Sequence, residues 1–199
     1  MQIGQVLTIL ISAFAGLLGV GLGGWIANRN DKARRRAEFL NRQLSEFYGP
    51  LLSLRAETNA KGELRDRLSS IASEQWQNIC AEYEGASPQA KRDGLSERYD
   101  RFGKMIEYDN GQLRTALMPA YREMLSVFRD RMWLSEPETR RYFSTLVEFV
   151  EIWERFLSET IPREVLVAVE HSEKKLIPFY DHVERKVDSR RQQLSEVRR

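Results

Sequence analysis

Cysteine is almost missing from this chain: Cys80 stands alone among 199 residues. No disulfide can close within one copy, and a reducing compartment suits the protein. Histidine is equally scarce, with His171 and His182 as the pair. One cysteine and two histidines give no zinc-ligand spacing, and no serine sits in a nucleophile elbow. Glycine-rich phosphate loops are lacking outside the first apolar stretch, and the glycines inside that stretch follow no strand. Nowhere do apolar and polar residues alternate with period two for long enough to build a sheet. The sequence therefore calls for no cofactor, no metal and no catalytic constellation.

Charge is also absent where it matters most. From Gln2 to Asn28 there is no charged side chain, and Leu7, Ile9, Leu10, Ile11, Phe14, Leu17, Leu18, Val20, Leu22, Trp25 and Ile26 fill the stretch. As a helix, residues 3–27 would reach about 37 Å, enough to cross a hydrocarbon core of about 30 Å with some tilt. A cleaved signal peptide would need a basic residue before the run and a small-x-small site after it, and neither is present. Trp25 fits an interfacial aromatic at the end of the span. Arg29, Lys32, Arg34, Arg35 and Arg36 follow directly, and nothing basic precedes. That bias predicts a single pass of the inner membrane, with the N-terminus outside and the domain in the cytoplasm.

Within the span, Ser12, Ala15, Gly16, Gly19 and Gly23 form a stripe of small residues. Lipid supplies no hydrophobic force between helices, so a groove that lets backbones approach is how such helices associate. The stripe predicts a homo-oligomer.

The formal charge of +2 conceals segregation. Residues 28–42 and residues 185–199 are both strongly basic, which leaves the middle acidic. Beside a membrane, the first cluster reads as a topology signal that also touches anionic lipid headgroups; DNA is not an expected partner.

Apolar residues recur at helical spacing through the rest, so the fold class is all-α: one transmembrane helix and a cytoplasmic bundle of about five to six helices. The expected division is a membrane helix over 1–28, a basic juxtamembrane helix over 29–49 and a helical bundle over 50–199. Pro50 is expected to break or kink the first helix. A second carries Leu51, Leu54, Leu64, Leu68, Ile71, Trp76, Ile79 and Tyr83, with Gly62 as a weak point. Gly85-Ala86-Ser87-Pro88 and Asp93-Gly94 read as an exposed loop. A third helix spans 95–108 and stops at Asp109-Asn110-Gly111. The fourth covers 112–133 with a bend at Pro119, and Ser135-Glu136-Pro137-Glu138 opens a fifth. Tyr142, Phe143, Leu146, Phe149, Val150, Trp153, Phe156 and Leu157 make its core stripe. Ile161-Pro162 opens the last helix, which bends at Pro178 and runs to Val197.

Two short segments carry a resemblance. Phe47-Tyr48-Gly49-Pro50-Leu51 after the membrane helix, with Ile177-Pro178-Phe179-Tyr180 later, resembles small bacterial membrane proteins that include the membrane-bound accessory proteins of type VI CRISPR systems. That resemblance implies a HEPN-like helical domain, self-assembly into a membrane pore, and a part in defence against phage. HEPN ribonucleases pair an Arg and a His four to six residues apart. Here Arg163 and His171 are farther apart, and His171 is flanked by acidic Glu170 and Glu173, so the resemblance carries no ribonuclease activity over. The expected function is a membrane-anchored, self-associating protein that perturbs the inner membrane. The alternatives are a tethered sensor for a partner protein or signalling nucleotide, and a membrane-held HEPN-type ribonuclease.

Overall fold

The computed structural model describes residues 28–169 and 171–197. Helix α1 covers residues 28–42 and passes without a loop into a π-helical turn, Gln43–Tyr48, and then into α2, Gly49–Glu82. A turn leads to α3, Pro88–Gln112, which runs through a second π-turn, Leu113–Leu117, into α4, Met118–Asp130. Four shorter helices complete the chain: α5 Pro137–Arg140, α6 Phe143–Leu157, α7 Arg163–Ala168 and α8 Ile177–Val197. With the fused pairs taken as one each, the described residues make about six helices and no strand, an all-α bundle.

Pro50 does not break its helix, and the helix of Pro119 likewise runs on through the proline. A proline inside an α-helix collides with the carbonyl four residues back and donates no hydrogen bond. Here each proline follows a π-turn by two residues. The Gly49 N–H donates to Leu44 O and the Met118 N–H to Leu113 O, both five residues back. The wider turn moves the carbonyl that each proline would strike. Gly49 belongs to the same device, because a Cβ there would run into the carbonyl oxygen of Leu44.

Other local signals are overridden. Asp109-Asn110-Gly111 lies inside helix, as does Asp93-Gly94, and the loop shrinks to a turn because Ser87 caps α3, its Oγ accepting from Ala90 N at 3.3 Å. Gly62 leaves α2 unbroken. The fifth helix is interrupted after Arg140. Pro178 lies in the first turn of α8 rather than at a bend, since α7 has already ended at Ala168.

The core gathers where α4, α6 and α8 close around the first π-turn and the start of α2. Phe47, Tyr48, Leu51, Met124, Phe128, Leu146, Phe149, Phe179 and Val183 fill it. On either side of this seat the long rod is bare. Residues 28–39 hold no buried side chain, and Leu40 is the first to be buried. Beyond Thr58, α2 buries no side chain and extends with α3 as a two-helix arm. Those lengths correspond to about 18 Å of stalk and about 36 Å of arm.

Candidate functional site

The two segments singled out in the sequence meet. Phe47 and Phe179 flank Phe128, with ring centroids at 5.3 and 5.8 Å, so the first π-turn and α8 share one aromatic partner on α4. Beside them Tyr48 Oη lies 3.0 Å from Thr139 Oγ1, which lies 2.8 Å from His182 Nε2. If the Tyr48 hydroxyl donates to Thr139 and Thr139 donates to the imidazole, both hydroxyl protons of this three-residue series have an acceptor. The opposite direction would strand the phenol proton.

Charged groups enclose this buried chain. Glu136 pairs with both Lys186 and Arg190, and Lys186 reaches Glu138 at 3.2 Å. The basic tail is thus drawn onto the bundle by the acidic cap of α5. Burial pushes the Tyr48 phenol above its ordinary range, an effect the Thr139 hydrogen bond opposes. Desolvation holds His182 below its ordinary value, and Lys186, Arg185 and Arg141 push the same way, against Glu138. Thr139 is 0% exposed. A hydroxyl shut off from solvent cannot attack a substrate, so the arrangement clasps α5, α8 and the first π-turn together.

A second polar contact ties α2 to the turn before α8. Arg55 donates to Glu173 Oε1 at 2.6 Å and lies 4.1 Å above the Tyr180 ring. Burial raises the neighbouring phenols of Tyr121 and Tyr180 far above their ordinary range.

His171 is half-buried against the rings of Phe149 and Trp153, with centroids at 4.8 and 5.4 Å. Desolvation lowers its proton affinity, with Lys175 adding to the effect. It borders an open depression of about 640 Å³ with Leu166, Val167, Ser172, Lys174 and Lys175. Arg163 is exposed at the first position of α7 and does not line this depression. Among the described residues no group of three His, Cys, Asp or Glu could hold a metal ion.

Both histidines have folded proton affinities below the unfolded value near 6.5. The unfolded chain therefore binds more protons as acid is added. Stability contributed by the neutral rings is present above about pH 6.5 and is lost as the pH falls through the lower folded values. Melting temperature is expected to drop from pH 7 to pH 5, with a shallower drop for His182→Gln; equal slopes for both proteins would exclude His182 as a source.

The exposed surfaces carry the remaining candidates. Arg29, Lys32, Arg34, Arg35 and Arg36 all face solvent on α1, and Arg34 makes an ion pair with Glu38 at 2.9 Å. Ser12, Ala15, Gly16, Gly19 and Gly23, and the expected span itself, lie outside the described residues. Among the described residues no helix is long and apolar enough to cross a membrane.

On the arm, Trp76 packs edge-on against Tyr99 and Phe102 at 5.8 and 5.4 Å. Leu64, Leu68 and Ile71, which the helical period placed on the second helix, are 47, 41 and 49% exposed, and Tyr108 is 66% exposed. A two-helix hairpin has no third element to cover them. Periodicity finds such a stripe without saying what covers it. No protein-family model matches the chain, and no curated protein or solved structure matches it either.

Proposed function

We propose that this chain is a membrane-anchored, self-associating protein of the bacterial inner membrane, whose assembly forms a pore or otherwise perturbs that membrane in defence against phage. The observation that carries the reading is the bare stalk. From residue 28, the first described and the one that follows the apolar run of the sequence, helix α1 enters the core with no intervening loop. Arg29, Lys32, Arg34, Arg35 and Arg36 are all exposed on it, at the end where anionic headgroups would lie. A helix that continues from a membrane span into a packed bundle couples movement in one to movement in the other. The small-residue stripe supplies the means of association within lipid.

No observation favours the ribonuclease alternative, since His171 is half-buried against the rings of Phe149 and Trp153 and its flanking carboxylates would repel a phosphate.

Replacing Gly19 and Gly23 together by Leu is the test. Loss of close helix contact in lipid costs on the order of 1–2 kcal/mol per contact, and in a closed ring that loss recurs at every interface. The double variant is expected to stay helical and membrane-bound, to run as a smaller particle in detergent, and to lose its effect on membrane potential. An unchanged particle with unchanged activity would leave the glycines as space-fillers and remove the reading's support.

A further inference from the structure

The arm leaves the core at two points on one level. Gly62 stands just past Thr58, the last buried side chain of α2, and Gly111 stands just before Leu117, the first buried side chain on the returning rod. Lys61, Arg65, Asp109 and Gln112 border one furrow of about 210 Å³ between the two helices, which sets Gly62 and Gly111 at the same height at the root of the arm. Neither glycine answers a local need. Both are helical, and a Cβ added to either would meet nothing within 4 Å. Gly49 and Gly94 differ, because a Cβ there would strike Leu44 O or the Tyr83 ring. Inside a helix, glycine in place of alanine weakens the helical state by a factor of about 2–5.

Further weaknesses gather at the same root. Thr115 Oγ1 donates to Gly111 O at 2.9 Å, a bond back to the preceding turn that bends helices. The wider ladder of the second π-turn starts at Leu113, and Asp109-Asn110-Gly111 is a turn sequence held in helical form. Farther out the two helices are braced against each other. Trp76 packs on Tyr99 and Phe102, the Tyr83 ring lies over Gly94, and Arg98 pairs with Glu82 at 2.8 Å. A two-helix rod bends where both helices yield at one level. Gly103 is open as well, but it lies among those braces and the α2 residues beside it, Ala72 and Ser73, include no glycine.

We infer that the arm swings as one piece about a hinge at Gly62 and Gly111, while the bundle keeps its shape. From Gly62 to Glu82 the arm measures about 30 Å. A bend of about 20°, the scale of a helix kink, carries its tip through roughly 10 Å. The hinge depends neither on the membrane span nor on self-association. It gives the bundle a lever on the side of the core opposite the stalk.

Paired spin labels on the full chain in detergent measure the swing. Labels on native Cys80 and on Ser158→Cys span arm and bundle, whereas labels on Cys80 and on Glu107→Cys both lie on the arm beyond the root. The first pair is expected to give distances spread over roughly 10 Å and the second a narrow distribution. Gly62→Ala combined with Gly111→Ala is expected to narrow the first distribution and leave the second as it was. Amide hydrogen exchange at residues 62–66 and 111–115 should slow by a factor of about 2–5 in the same variant, with exchange over α6 unaltered. A first distribution that the double substitution leaves unchanged, whether broad or narrow, would overturn the hinge, and so would unchanged exchange at the root. A broad distribution within the arm, or equal narrowing by Gly103→Ala alone, would mean that the arm melts rather than swings and would overturn it too.

Discussion

Phe128→Ala is expected to destabilise the protein by about 3–5 kcal/mol, the cost of removing a large ring from a packed interior that relaxes only in part. Phe128 is fully buried and touches Phe47, Phe143 and Phe179, so a single side chain joins the first π-turn, α4, α6 and α8. At roughly 2–4 °C per kcal/mol for a chain of this size, the melting temperature should fall by about 6–20 °C. Leu68→Ala serves as a control, because an exposed leucine on the arm should change stability by no more than about 0.5 kcal/mol. Thermal melts of both variants in the same detergent make the comparison. A loss below about 1 kcal/mol for Phe128→Ala would mean that the core does not converge on this ring.

The all-α class was legible because helical spacing runs through the whole domain and period two never appears. The stripe on α6 was legible for the same reason: Leu146, Phe149 and Val150 are buried, and Trp153 and Leu157 pack beside them. Misreadings came from strictly local signals. Pro50 predicts a break or kink because a proline cannot join an ordinary α-helical ladder, and a five-residue hydrogen bond just upstream removes the conflict. Asp109-Asn110-Gly111 predicts a turn because those residues tolerate turns, which is a preference of under about 1 kcal/mol each and gives way when the flanking helix is held. The leucines of α2 illustrate a different limit. Their spacing identifies a helix face, while only the third dimension shows that no element covers it.

The candidate site was legible in its parts and not as a whole. Phe47-Tyr48-Gly49-Pro50-Leu51 and Ile177-Pro178-Phe179-Tyr180 stood out only through the resemblance they carry. Nothing in either segment points to Thr139, which meets Tyr48 across 91 positions and His182 across 43. Thr139 lies on a helix of four residues, too short for any periodicity to register. The basic tail was legible as charge and not as structure, because the carboxylate that seats Lys186 and Arg190 belongs to the cap of that same short helix.

Thr139→Val should separate shape from hydrogen bonding at that junction. Valine keeps the β-branched outline of threonine and replaces the hydroxyl with a methyl group, so the shape is kept and the hydrogen bonding lost. The Tyr48 O–H then has no acceptor and His182 Nε2 no donor, in a position shut off from water. A buried polar group left unsatisfied costs about 1–3 kcal/mol. Two such groups should together cost roughly 3 kcal/mol, with partial relief if His182 turns toward solvent. Thr139→Ser keeps the hydroxyl and loses one methyl group, worth about 0.8 kcal/mol. Valine is therefore expected to be clearly the more damaging of the two, although serine is the one that leaves a void. Denaturant unfolding at pH 7.5, where both histidines are neutral, measures the difference without interference from their protonation. If Val and Ser prove equally stable, the Tyr48–Thr139–His182 chain contributes nothing beyond packing, and the junction is held by Phe128 and the Glu136 ion pairs alone.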